Sequence, residues 1–150
     1  MNRIVFLLFV FLSAGACTAA EDGFTRITSD GKLILDYKKK IANFFENVVV
    51  QTGDGVLKSD KLTVFFDATG NAIDRMIAVG HVFIDEKDHQ AESDRAEYYS
   101  RESRLVLTGE PVIKKGSNYY SAEIITIDTR TNKVYFEPSA KIVIKQRDDQ

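Results

Sequence analysis

The sequence predicts an all-β protein: a folded antiparallel sheet, of β-jelly-roll or β-taco form, built from repeated strand-hairpin units. Three observations predict it. From Leu33 onward, short runs rich in Val, Ile, Phe, Tyr and Thr alternate with clusters of Asp, Gly, Asn, Ser and Lys. No stretch sustains the helical period of about 3.6 residues. Three kinds of landmark recur together along the chain, which marks an internal repeat.

The landmarks define the units. Hairpin-like turns fall at Asp36–Lys40, Asp67–Asn71, Ser100–Arg104 and Asp128–Lys133. Between them come Ser59-Asp60-Lys61-Leu62, Ser93-Asp94-Arg95-Ala96 and Ser121-Ala122-Glu123-Ile124, whose serines lie 34 and 28 residues apart. A third series, Glu46-Asn47-Val48, Gly80-His81-Val82, Gly109-Glu110-Pro111 and Pro138-Ser139-Ala140, advances by 34, 29 and 29 residues. Each unit of roughly 30 residues is two strands and two connections. Pro111 and Pro138 are the two prolines, and both sit beside turns.

Strand side chains alternate between faces, so alignment of the units gives apolar columns. The first strand type places Ala42 and Phe44, Met76 and Ala78, Leu105 and Leu107, and Val134 and Phe136 on one face. The next places Val48 and Val50, Val82 and Ile84, Pro111 and Ile113, and Ala140 and Ile142. The strand after the Ser landmark carries Leu62 and Val64, then Ala96 and Tyr98. Its third copy leaves two registers open, Ile124/Thr126 or Ile125/Ile127. Intervening positions such as Asn43, His81, Glu97, Glu110 and Lys141 are polar. One apolar and one wet face describe an antiparallel sheet that must fold over on itself, either closing or forming two facing layers. The inward face is then either a lengthwise slot or a packed core.

The N-terminus reads as an export signal. Arg3 precedes an unbroken apolar run from Ile4 to Leu12, followed by small residues through Ala20 and charge at Glu21. The run is well short of the roughly 20 residues that span a bilayer. We assign residues 1–20 as a signal peptide and 21–150 as one domain; retention of the segment as an anchor is the alternative. Removal of 20 of the 150 residues leaves 130, with a formal charge of −3 after loss of Arg3 from a chain of −2. No basic field favours nucleic acid. Cys17 is the single cysteine, so no internal disulfide forms. It is either a small residue in a discarded leader or an acylation site. Ala14-Gly15-Ala16-Cys17 resembles a lipobox, with Ala14 where Leu is usual.

Residues for chemistry are sparse. His81 and His89 are the only histidines, too few for a β-barrel metal site. The carboxylate pairs Asp85/Glu86 and Asp148/Asp149 sit in charged stretches, with Asp85–Gln90 read as a polar loop. Gly53-Asp54-Gly55 and Thr69-Gly70-Asn71 are turn sequences. No nucleophile–base pair, metal or cofactor is expected, and the protein reads as a non-enzyme.

The order Gly80-His81-Val82-Phe83-Ile84, Ser93-Asp94-Arg95-Ala96-Glu97-Tyr98, Leu105-Val106-Leu107-Thr108-Gly109, behind an export leader, resembles the LptA family of periplasmic lipopolysaccharide-transport proteins within the OstA-like group. The resemblance covers about Ile27 to Ile144 and is strongest over Ala91–Ile113. It implies a folded sheet open at both ends, an interior that receives the acyl chains of lipid A, and head-to-tail stacking into a bridge between the membranes. The acyl-binding residues would be Phe44, Val48, Val50, Leu62, Val64, Met76, Val82, Ile84, Tyr98, Leu105, Leu107, Ile113, Val134, Phe136 and Ile142. Stacking with copies or other OstA-like components would use strand edges near Phe24–Thr28 and Lys141–Lys145. The Lys38–Lys40 run is a hairpin tip, or a place where lipid phosphates meet the rim. An anchored LptC-like partner of the same fold and a structural envelope module without lipid cargo are the alternatives.

Overall fold

The computed structural model describes residues 25–145, and the expected signal peptide, Cys17 and Asp148/Asp149 lie outside the described residues. Twelve strands follow in order: β1 (Arg26–Thr28), β2 (Leu33–Asp36), β3 (Ile41–Gln51), β4 (Gly55–Phe66), β5 (Ile73–Glu86), β6 (His89–Tyr99), β7 (Arg104–Thr108), β8 (Val112–Lys115), β9 (Asn118–Ser121), β10 (Ile124–Asp128), β11 (Lys133–Glu137) and β12 (Lys141–Val143). All their pairings are antiparallel, and they form one sheet that does not close. The all-β folded sheet expected from the sequence is the fold observed.

The sheet folds along a line that crosses the four long strands. Pairing is interrupted between Phe45 and Val48, between Lys58 and Lys61, and between Val79 and Val82. On one side of this line lie β2, residues 41–45, 61–66, 73–79 and 95–99, then β7, β10 and β11 (layer one). On the other lie β1, residues 48–51, 55–59, 82–86 and 89–93, then β8, β9 and β12 (layer two). The layers face one another. Tyr120 of layer two meets Phe136 of layer one with ring centroids 6.0 Å apart.

The repeat in the sequence is the repeat of this fold line. Its third landmark is a pair of left-handed residues: Glu46 (φ 65°) and Asn47 (47°), Gly80 (85°) and His81 (46°), Gly109 (76°) and Glu110 (52°). Such pairs sharpen the twist and bend the strand out of its layer. Opposite each pair stands an acidic residue: Asp30 N–H donates to Glu46 O (2.9 Å), Asp60 packs against Gly80, and Asp94 N–H donates to Gly109 O (3.0 Å). At the fourth landmark Glu123 N–H donates likewise to Pro138 O (3.1 Å). The Ser landmark has a matching job. Ser59 Oγ donates to Lys61 O and Ser93 Oγ to Arg95 O, each at 3.1 Å, satisfying hydroxyls that are themselves buried.

Glycine at the bend is a packing requirement as well as a dihedral one. A Cβ at Gly109 would stand 2.4 Å from Asp94 Cβ. Gly109→Ala is therefore expected to destabilise by about 2 kcal/mol or more, from the left-handed penalty plus the clash. The check is the midpoint of urea unfolding. An unchanged midpoint would mean that this bend is free to relax.

Two expectations are refined. The Asp85–Gln90 segment is a hairpin rather than a loop: Glu86 pairs His89 and Asp85 pairs Gln90, leaving only Lys87 and Asp88 in the turn. The open register of β10 resolves to Ile125 and Ile127 inward, with Ile125 buried and Ile124 exposed.

Candidate functional site

The space between the layers is lined by inward rows that run across the strands. In layer one, Leu35, Ala42, Val64, Met76, Tyr98, Leu105, Ile127 and Val134 are successive cross-strand partners. A second row there is Leu33, Phe44, Leu62, Ala78, Ala96, Leu107, Ile125 and Phe136. Layer two contributes Ile27, Val50, Leu57, Ile84, Ala91, Ile113, Tyr120 and Ile142. Val48, Ser59, Val82 and Ser93 form a further row beside the fold line. No charged side chain stands on any of these rows.

Every residue expected to hold acyl chains lies on one of these rows; of the other positions expected inward, Pro111 is buried but outside the strands, and Ala140 is exposed between β11 and β12. The sequence reading missed Leu57, Ala91, Tyr120 and the N-terminal contributors Ile27, Leu33 and Leu35. The period-2 signal was present for Ala91 and Tyr120, which alternate with Glu92 and Tyr119. Ile27 and Leu33 lie in strands of three and four residues, too short to show a period.

The rows are not equally filled. Val48, Val64, Leu107 and Ile125 have no exposed surface. Toward the last strands the interior opens: Val134 is 39% exposed and Ile142 58%. A cavity of about 390 Å³ opens between the layers, on the seam opposite the fold line. Its floor includes Ile84 and Ala91 from layer two and Leu105 and Ile127 from layer one. Asp54, Glu86, Lys87, Asp88, His89, Thr129 and Asn132 form its polar rim. That volume is at the lower end of the range of about 300–1,000 Å³ for ligand pockets.

The two lips of the seam are built differently. Layer one's hairpin tips are tied to one another. Lys40 Nζ donates to Ala68 O, Arg101 pairs with Asp74 at 3.0 Å, and Thr129 donates to Ser103 O from both N and Oγ1. Asp128 fixes the last tip by accepting from the N–H groups of Arg130 and Thr131, both at 2.9 Å; those bonds hold its carboxyl below the usual range. The β5–β6 tip of layer two bonds within itself, His89 to Glu86 at 3.2 Å and Gln90 to Asp85 at 3.5 Å. Lys38 and Lys39 sit at the β2–β3 tip, their N–H groups capped by Asp36 at 3.0 and 2.9 Å.

Side chains along the fold line form a ladder outside the interior. Asn47 Nδ2 donates to Asp30 Oδ2 at 3.1 Å, and His81 Nδ1 lies 2.8 Å from Asp60 Oδ2. That bond, with the charges of Asp60 and Asp94, raises the His81 pKa above its ordinary 6.5. A folded-state value above the unfolded one contributes stability that is complete below pH about 6.5 and lost as pH rises through the folded value. The unfolding midpoints of the native protein and His81→Ala are therefore expected to converge as pH rises above that window. Equal separation at pH 5.5 and 9 would show that the pair is not coupled to folding.

The outer face is less polar than its sequence suggests. Phe45, Phe65 and Tyr99 point outward and are covered by cations: Lys32 and Lys61 over Phe45 at 5.3 and 5.2 Å, Arg75 over Phe65 at 4.2 Å, and Arg104 over Tyr99 at 4.7 Å. Glu97 accepts from the Tyr99 hydroxyl and from Arg95 Nε at 2.7 Å, which lowers its pKa. Among the described residues, no group of His, Cys, Asp and Glu is placed to hold a metal ion, and no helix is long and apolar enough to cross a membrane.

The fold and its lining define a folded-sheet β-jelly roll with an apolar interior running across its strands. The chain belongs to the LptA/(LptD N-terminal domain) LPS transport protein family, whose model matches residues 26–133. It is 23% identical over 143 residues to the lipopolysaccharide export system protein LptA of Haemophilus influenzae, covering 89% of this chain and 83% of that one. An uncharacterized protein of Rickettsia prowazekii is 23% identical over 119 residues, covering 77% of this chain and 82% of that one. The crystal structure of LptH from Pseudomonas aeruginosa, described as the LptA-homologous periplasmic component of the lipopolysaccharide transport device, superposes with a TM-score of 0.72 at 21% identity. It covers 81% of this chain and 95% of that one.

Proposed function

We propose that this protein is a periplasmic, non-enzymatic carrier that shelters the acyl chains of lipopolysaccharide between its two layers on the way from inner to outer membrane. The observation that carries the reading is the continuous apolar lining, free of charge along every inward row and open at its C-terminal end, at Val134 and Ile142. Acyl chains need such a lining because each buried CH2 contributes about 0.8 kcal/mol. The reading requires the packed rows to admit them by separation of the layers. Edges β1 and β2 at one end, and β11 and β12 at the other, suit strand pairing with further copies or domains of this fold.

The test is a photo-crosslinker at Ile84 in the purified protein incubated with lipopolysaccharide, read by native mass spectrometry. A lipid adduct is expected at Ile84, with a ladder of protein multiples. Capture of the protein's own chain alone would favour the second reading, a structural envelope module with a filled interior. The complete burial of Val48, Val64, Leu107 and Ile125 is the observation in that reading's favour. An N-terminus at Glu21 in the exported protein would exclude the anchored form.

A further inference from the structure

We infer that the seam cavity beside the β5–β6 hairpin is a binding site for a single-chain amphiphile with a cationic head. The inference rests on the alkyl-holding interior proposed above, and adds to it a lateral entry and a preference of charge. The cavity is amphipathic by construction. Its floor is aliphatic, from Ile84, Ala91, Leu105 and Ile127, and both layers contribute. An alkyl chain laid there leaves its head among the rim residues, in water.

The rim is acidic. Asp54, Glu86 and Asp88 bring three carboxylates, against the single ammonium of Lys87. His89 lies 3.2 Å from Glu86; with its ring neutral the rim carries −2, and with it protonated −1. Thr129 and Asn132, on the layer-one side, are neutral and offer oxygen acceptors. A quaternary or primary ammonium meets this rim favourably in either state of His89, and a phosphate or sulfate head is repelled. The lysines of the other rim segment, Lys38 and Lys39, belong to the β2–β3 tip and do not line the cavity. The seam therefore carries opposite charge at two places, and its enclosed part is the negative one.

The two lips of the cavity are tied differently. Thr129 is fixed to Ser103 and Arg130 to Asp128, so the layer-one lip is held. The Lys87–Asp88 turn is the two-residue tip of a hairpin whose Glu86 and Gln90 pair with Gly55 of β4 and Lys114 of β8. A chain entering from the side passes over the Lys87–Asp88 turn, the part of this lip with no ladder pair of its own.

The test compares decyltrimethylammonium, decyl maltoside and decyl phosphate, each below its micelle concentration, by calorimetric titration of the full exported protein. One decyltrimethylammonium is expected to bind per protein, about tenfold tighter than decyl phosphate at low salt, with the gap closing at high salt. The surface variant Asp54→Asn/Glu86→Gln/Asp88→Asn is expected to cut that preference to about twofold or less while leaving decyl maltoside binding unchanged. Equal binding of the two charged heads, or a preference that survives in the variant, would overturn the inference. If lipopolysaccharide still cross-links at Ile84 in that case, the carrier reading stands and only the cationic site falls. Absence of binding by any decyl amphiphile, together with no lipid adduct at Ile84, would overturn both.

Discussion

Leu107→Asp is expected to lower the unfolding free energy by about 3–5 kcal/mol at pH 7, which takes a domain of ordinary stability close to unfolding. Leu107 has no exposed surface and stands between Ala96 and Ile125 on its row. No side chain on that row can pair with a carboxylate. The leucine's burial is lost and a charge is placed where water does not reach. Leu107→Ala isolates the first contribution, about 2–5 kcal/mol for a buried leucine. The second depends on pH. Burial raises the introduced carboxyl's folded pKa, so the extra penalty is absent below the ordinary Asp value of about 3.9 and grows as pH rises above it. Urea unfolding of both variants at pH 4 and pH 7 checks this. An Asp variant as stable as the Ala variant at pH 7 would mean that water already fills the interior beside Leu107.

That prediction draws on a part of the protein that was legible in the sequence. Alternation of period 2 is a direct image of strand geometry, so the inward columns could be read without knowing the topology. The repeat fixed their phase: Phe44, Met76, Leu105 and Val134 occupy matching units and lie on the same face. The single ambiguity arose where four apolar-compatible residues follow in sequence, Ile124 to Ile127, and no alternation exists to read. The fold line was visible as a landmark but not as a bend. Gly80-His81 and Gly109-Glu110 begin with the glycine that a left-handed pair favours, but Glu46-Asn47 fills the same conformation with two non-glycines, so no one residue type marks the bend. The outward aromatics were illegible for another reason. Phe45 and Phe65 are tolerated by cations that reach them from neighbouring strands, Lys61 and Arg75, far away in sequence. The degree of filling depends on the gap between the layers, which a one-dimensional pattern does not encode.

Filling is what separates a carrier from a packed module, and Ile142→Asp addresses it where folding is least at stake. Ile142 is 58% exposed on the last strand and pairs with Tyr120, whose ring meets Phe136. A carboxylate there stays solvated, so the unfolding free energy is expected to change by no more than about 0.5–1 kcal/mol. Lipid loading should respond very differently. An acyl chain leaving by this end would lie against Ile142, and covering an ionised carboxylate with hydrocarbon costs several kcal/mol. Cross-linking of lipopolysaccharide at Ile84 is therefore expected to fall by about tenfold or more in Ile142→Asp, while Ile142→Ala retains most of it. Melting temperatures for both variants show that the fold is kept. Loss of loading by the Asp variant alone assigns the effect to charge on the route rather than to shape. Equal loading by the native protein and both variants would mean that chains held at Ile84 do not extend to the C-terminal end. The exposed side chains there would then serve the pairing of β11 and β12 with another sheet edge, and the seam would be left as the route of entry.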